Sequence, residues 1–268
     1  MNVCIYTSDQ PSPASLLNIN YLLQKRPEHN YSFLTILKPR MNQGFESKLK
    51  KIYGELRFDD GRYDFTRDTL TIDKKLKSLI VPVNKKLFIN GYADQVNDDK
   101  SVKFLNEVKP DVIIQSDAGI LKQNIFSLSK IATINVHHGI APEIRGIASA
   151  FWCLFYGIKD KIGVTCHLID DNLDTGAIIC KRTLDSTSGS FIDIEFENYL
   201  LGRDVLVESI DLLNKGAYKV RTESDVKSYY FGMVNPYLYY ALKKRNFEPV
   251  MKISDRAFKL KEKKYLEF

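Results

Sequence analysis

Hydrophobic and polar positions alternate along this chain in blocks that change period. Val3 to Tyr6 is a short apolar run ending in a polar loop, Thr7 to Ser12, and reads as a first buried strand. Ser12 followed by Pro13 is a helix start, and Leu16, Ile19 and Leu23 then recur at helical spacing. Tyr31 to Leu37 is a second strand, and Phe45, Leu49, Ile52, Tyr53 and Leu56 give a second amphipathic helix. The stretch from Arg57 to Asn84 has a mixed, charged pattern that suggests loops and short pieces. Leu87 to Ile89 reads as a short strand, Asp98 or Asp99 caps a helix running to Val108, and Asp111 to Gln115 and Ile131 to Val136 are buried strands. Ala148 to Tyr156 is helical and apolar nearly all round, so it belongs inside. Gly163 to Ile169 and Gly176 to Leu184 are further strands, with Val164, Cys166 and Leu168 sharing one side. Ile194 to Asn214 is a long helix that Gly216 stops. Strands alternating with helices predict an α/β fold with a largely parallel sheet.

Composition narrows the class. Apolar residues are 44 % and charged residues 27 % of 268, values of a globular chain rather than a disordered one. The first residues have no basic region followed by a long apolar stretch, and no apolar run approaches the roughly 20 residues that cross a bilayer, so a cytoplasmic protein without membrane contact is expected. The net charge of +6 is concentrated at the end: Ala241 to Phe268 holds nine basic and four acidic residues. Such a tail can meet phosphates, or it can be a solvated face, which its interspersed acids favour. Cys4, Cys153, Cys166 and Cys180 form no C-x-x-C pair, so buried reduced thiols are expected and no metal site. No G-x-G-x-x-G follows the first strand and there is no P-loop, which argues against a dinucleotide.

Two stretches carry candidate chemistry. In Ile134-Asn135-Val136-His137-His138-Gly139, a strand ends with an amide and an imidazole two residues apart, on the same side of an extended backbone. Strand carboxyl ends are where parallel α/β sheets form sites. An amide can donate to a developing oxyanion, and an imidazole can move a proton near neutral pH. A hydrogen-bonded structural pair is the plain alternative. Further on, Asp170, Asp171 and Asp174 fall within a tight turn ended by Gly176. One of them can orient His137, or the turn can simply be a solvated acidic loop.

Together these stretches resemble the folate-dependent formyltransferases, a family that includes glycinamide ribonucleotide transformylase, methionyl-tRNA formyltransferase and sugar N-formyltransferases. The family pattern N-x-H-x-S-x-L-P-x-x-x-G is met by Asn135, His137, Pro142 and Gly146, with Arg145 beside it. The later G-x-T and D-x-G-x-D-T-G turn are met by Gly163, Thr165, Asp170, Asp174, Thr175 and Gly176. The chain departs from it at Gly139 in place of Ser, His138 in place of Pro, Ile140-Ala141 in place of two Leu, and Asn172 in place of Gly.

The resemblance implies a Rossmann-like formyltransferase catalytic domain over residues 1–190, and a C-terminal helix with a small aromatic and basic subdomain over 191–268. It implies transfer of a formyl group from 10-formyltetrahydrofolate, the cosubstrate, to a primary amine, with no metal. Asn135 would stabilise the oxyanion, His137 would move the proton, and Asp174 would orient His137. The folate would lie against Gly119, Ile120 and Leu121, against Gly139 and Pro142, and against Asp170, Asp171 and Leu173. Arg145, Gly146 and His138 would meet the acceptor, although His138 reads equally well as an exposed loop residue. His167 is out of phase with Val164 and Cys166, so the sheet's other face is expected for it, and His29 should be solvent-exposed.

For the acceptor, a nucleotide-linked amino sugar is the first expectation. The loop Tyr6 to Ser12 has no glycine to cradle a phosphate, unlike the transformylase of the purine precursor, and only 52 residues follow Gly216, fewer than the C-terminal barrel of the tRNA enzymes. Nucleic acid is not the expected partner, and methionyl-tRNA or another small amine stays as the alternative acceptor, the former kept open by the basic tail. The aromatics Tyr229, Tyr230, Phe231, Tyr237, Tyr239 and Tyr240 can stack a ring, form a homodimer contact, or pack as a small subdomain. Hydrolysis of the formyl donor, and a non-catalytic binding module, are the rival readings.

Overall fold

The computed structural model describes residues 1–37, 62–83, 88–218 and 226–251. The helix expected around Phe45 to Leu56, and most of the basic tail, lie outside the described residues. Among the described residues a seven-stranded sheet runs in the order β3-β2-β1-β4-β5-β7-β8. Its strands are β1 (Asn2–Ser8), β2 (Asn30–Ile36), β3 (Ile89–Ala93), β4 (Val112–Ser116), β5 (Ala132–His137), β7 (Gly163–Leu168) and β8 (Ile178–Thr183). The first five are parallel, while β7 and β8 pair antiparallel. Short strands β6 (Ile144–Gly146) and β9 (Tyr229–Phe231) pair separately.

Helices cover both faces, as a parallel sheet requires. α1 (Pro13–Lys25) starts where Ser12 caps it, the Ser12 hydroxyl accepting from the Ser15 N–H at 3.2 Å. It shares one face with α6 (Phe191–Asn214), whose Val205, Leu206 and Ile210 pack with Val3, Ile5 and Val164. α3 (Asp99–Val108), capped by Asp98, closes the other face on Cys4, Tyr6 and Ile113. α4 (Gln123–Phe126) is a single turn after β4. α5 (Ser149–Tyr156) is buried at every position, as its all-round apolar sequence requires. Around it pack Phe191, Phe231 and Tyr239, with Trp152 stacked on Phe231 at 5.4 Å and 9°. Phe231 and Tyr239, the latter in α7 (Pro236–Lys244), thus serve the core. All four cysteines are buried and free.

Three expectations fail for physical reasons. The stretch read as loops holds α2 (Arg62–Ser78), 17 residues long. Its inward stripe is Phe65, Asp68, Ile72 and Leu76, and the polar Asp68 interrupts the apolar period. Asp68 is tolerated inside because Tyr239 donates to it at 2.7 Å and Lys243 at 2.9 Å. The strand expected at Leu87 to Ile89 lies at Ile89–Ala93, where Asn90 and Gly91 masked it. His29 is buried, its Nδ1 3.5 Å from the amino group of Met1 and its ring beside Tyr31, and burial lowers its pKa.

Candidate active site

β5 delivers Asn135 and His137 at its carboxyl end, and the antiparallel partner β7 sets His167 directly across from Asn135. The turn after β7 brings Asp174 back over the same strand ends. Asp174 adopts φ 53°, a left-handed conformation that folds its carboxylate inward. The chain then enters β8 past Gly176, where a Cβ would stand 1.6 Å from the Leu168 carbonyl oxygen, so only glycine closes this turn. Asp170 holds the turn's near side, accepting from the Asn172 N–H at 3.0 Å and the Thr175 hydroxyl at 2.8 Å.

Polar contacts fix the protons. His137 Nε2 lies 2.9 Å from the Ile144 carbonyl, which only accepts, so Nε2 carries hydrogen and Nδ1 is the basic atom. Nδ1 faces Asp174 Oδ2 at 3.7 Å. His167 Nδ1 donates to the Leu168 carbonyl at 2.7 Å, and its Nε2 stands 3.4 Å from Asn135 Nδ2 and 3.6 Å from Asp174 Oδ1. The Asn135 amide keeps a second N–H for another acceptor. Asp174 Oδ2 also accepts from the Gly146 N–H at 3.0 Å.

The electrostatics follow from burial. Burial lowers the His137 pKa, and the nearby Asp174 charge pulls against it, leaving a neutral base at pH 7. Burial opposes ionisation of Asp174, but the contact with His167, the proximity of His137 and the Gly146 N–H prevail, holding its pKa at about 2. Burial, reinforced by His137, takes His138 down to about 4.

The structure explains one departure from the formyltransferase pattern. A Cβ at Gly139 would stand 2.4 Å from His137 Nε2, 2.7 Å from Ser149 Oγ and 2.8 Å from the Ile144 carbonyl oxygen, leaving no room for serine. Thr165, fully buried, donates to the Gly139 carbonyl at 2.8 Å and accepts from the Ala141 N–H at 3.0 Å, which pins the loop after His137. Arg145 ties three segments together, donating to Ser228 Oγ at 2.8 Å and to the Leu173 carbonyl at 3.2 Å.

A cavity of about 560 Å³ opens over these groups. Asn135, His137, His138, Gly146 and Asp174 line it, as do Gly119 to Leu121 and Asp170 to Leu173. Gly139, Pro142 and Arg145 stand behind this lining, in the loop that holds His137. His138 is no free loop residue, since its ring meets Tyr199 of α6 edge-on at 4.7 Å. His167 lies on the Asn135 side of the sheet, as its phase requires. Its closeness to Asp174 went unread because only the antiparallel register of β5 and β7 reveals it. Glu195 and Tyr199 of α6 are also in the lining, and neither is marked as a site residue by the periodicity of that helix. Among the described residues no group of three or more His, Cys, Asp or Glu is placed to hold a metal ion, and no helix is long and apolar enough to cross a membrane.

Residues 73–189 match the family model described as formyl transferase. Methionyl-tRNA formyltransferase of Desulfotalea psychrophila is 31 % identical over 139 residues, 50 % of this chain and 42 % of its own. That of Geotalea daltonii is 32 % identical over 138 residues, 50 % of this chain and 43 % of its own. The matched stretch thus spans less than half the length of these relatives. In fold, the chain is similar to a sugar N-formyltransferase from Shewanella sp. (TM-score 0.55, 17 % identity, 87 % of this chain and 77 % of that one). It is similar also to glycinamide ribonucleotide transformylase 1 from Symbiobacterium toebii (TM-score 0.52, 11 % identity, 81 % and 88 %).

Proposed function

We propose that this chain, whose residues 73–189 match the formyl transferase family, transfers the formyl group of 10-formyltetrahydrofolate to a primary amine. The observation that carries this reading is the convergence of Asn135, His137 and Asp174 on one cavity at the carboxyl ends of the sheet. The cavity has the volume of a small-molecule site, and Gly119 to Leu121 and Asp170 to Leu173, the segments expected to meet the pterin, line it.

The residues divide the chemistry. The reaction forms a bond between the amine nitrogen and the formyl carbon and breaks the bond from that carbon to N10 of the folate. The free Asn135 N–H donates to the carbonyl oxygen as it becomes an oxyanion, and one such donor contributes on the order of 3 kcal/mol in the transition state. His137, neutral at Nδ1, takes the proton that the attacking amine must lose and returns it to the leaving N10. Asp174 stabilises the imidazolium formed between these steps, and His167 Nε2, accepting from Asn135, holds that amide in place. Arg145 fixes the turn that presents Asp174, and the cavity walls at His138 and Gly146 border the acceptor.

An amino sugar carried on a nucleotide is the acceptor we favour, because residues of the cavity lining carry hydrogen-bond acceptors without a partner in the chain. Methionyl-tRNA is the second reading, on the strength of the relatives at 31–32 % identity. The purified protein, given 10-formyltetrahydrofolate with nucleotide-linked amino sugars, methionyl-tRNA or no amine, separates the cases. Tetrahydrofolate released only with an amine supports transfer and identifies the acceptor. Release into water alone means hydrolysis, and no release under any condition refutes the proposal.

A further inference from the structure

The chemistry above uses the part of the cavity formed by strand ends and turns. Helices α1, α5 and α6 supply another part, and the mechanism leaves it unexplained. Each contributes one polar side chain that is more than nine-tenths buried: Asn18 at 7 %, Ser149 at 4 % and Glu195 at 7 % exposure. All three line the cavity. In each a polar atom lacks any partner: Asn18 Oδ1, Ser149 Oγ and Glu195 Oε2. Buried polar atoms are nearly always paired, and leaving one unpaired is destabilising. Three on the lining of one cavity point to a partner from outside the chain.

The chemistry of that partner follows from theirs. An amide oxygen and a carboxylate oxygen accept, and a hydroxyl can accept, so the partner must bring N–H or O–H donors. Glu195 is held in place by a hydrogen bond with Tyr199, whose ring rests against His138. Burial pushes its pKa up to about 7, so near neutrality it can accept from a hydroxyl or pair with an ammonium group. Ser149 lies near the catalytic histidine, its hydroxyl and the structural Nε2 side of His137 both packing beside Gly139. The thioether of a methionine side chain would bring no donor, so methionyl-tRNA could meet these atoms only through its α-amino group and ribose hydroxyls, whereas an amino sugar carries several donors on one ring.

We propose that Asn18, Ser149 and Glu195 form a subsite that binds the hydroxyl and amino groups of the sugar ring bearing the amine to be formylated. This rests on the formyl-transfer reading and names its acceptor class.

The test is isothermal titration of the wild type, Glu195→Gln, Ser149→Ala and Asn18→Ala with tetrahydrofolate and, separately, with dTDP-linked 4-amino-4,6-dideoxyglucose and methionyl-tRNA. Thermal melting confirms that each variant folds. The expected result is amino-sugar binding by the wild type that weakens at least about tenfold in Glu195→Gln and measurably in the other two, with folate affinity unchanged. Unchanged amino-sugar affinity in all three variants overturns the subsite, as does a wild type that binds methionyl-tRNA and no amino sugar. A wild type that binds no folate, yet holds the amino sugar through Glu195, refutes formyl transfer and supports the subsite.

Discussion

Replacing Asp174 by asparagine isolates the charge of the carboxylate, because the amide keeps an oxygen for the Gly146 N–H. The side chain is 14 % exposed and lies 3.7 Å from His137 Nδ1 and 3.6 Å from His167 Nε2. Its pKa falls from the ordinary 3.8 to about 2 in the folded protein. The folded state therefore binds this proton more weakly than the unfolded chain does. The ionised carboxylate stabilises the fold above pH 4 or so, and that contribution fades as pH drops through the folded pKa. A shift of nearly two units corresponds to on the order of 2 kcal/mol at ~1.4 kcal/mol per unit. Little of this is lost to solvent at such low exposure. Urea unfolding at pH 7 should show Asp174→Asn about 2 kcal/mol less stable than the wild type, and at pH 3 the gap should shrink to roughly half. Formyl transfer supplies a second readout. With the Asp174 charge gone, burial acts on His137 unopposed. The acid limb of kcat/KM, already below the usual imidazole midpoint, should move lower still, and kcat should fall on the order of 10²-fold. Wild-type stability of the variant at pH 7, or a gap that stays constant between pH 7 and pH 3, would refute the pairing of Asp174 with the two imidazoles.

Other substitutions probe separate links. His137→Ala should abolish transfer while circular dichroism shows a retained fold, and it should cost about 1–3 kcal/mol in unfolding because the buried Ile144 carbonyl loses its donor; turnover like the wild type's would dismiss His137 as the base. Gly139→Ala places a methyl group against His137 and the Ile144 carbonyl, so we expect roughly 1–3 kcal/mol of destabilisation by thermal melting together with a drop in kcat. An alanine variant with unchanged melting would mean that the loop has more freedom than the geometry allows. Tyr239→Phe removes the shortest of the bonds to buried Asp68 and should destabilise by about 1–2 kcal/mol in urea, with kcat untouched.

What the chain reveals about itself depends on whether a signal is local. β1 and α5 were legible from their unbroken apolar runs and α1 from its capped start, all properties of neighbouring residues. Asn135 and His137 were legible because a strand's two-residue period places them together. Asp174 was a candidate only through the family pattern, since three carboxylates in one turn look alike until the backbone puts one of them beside two imidazoles. α2 was missed because Asp68 breaks its buried stripe, and its partners Tyr239 and Lys243 come from some 170 residues further along the chain. His167 and Glu195 were missed for the same reason. Their meaning lies in which strand or cavity they face, and that is set by packing across the fold.

The most direct measurement is a crystal structure of the complex with tetrahydrofolate. The account predicts the pterin against Gly119 to Leu121 and the Asp170 to Leu173 turn, with N10 within hydrogen-bonding reach of Asn135 and His137. Folate bound elsewhere, or bound in this cavity with N10 turned away from both side chains, would contradict it.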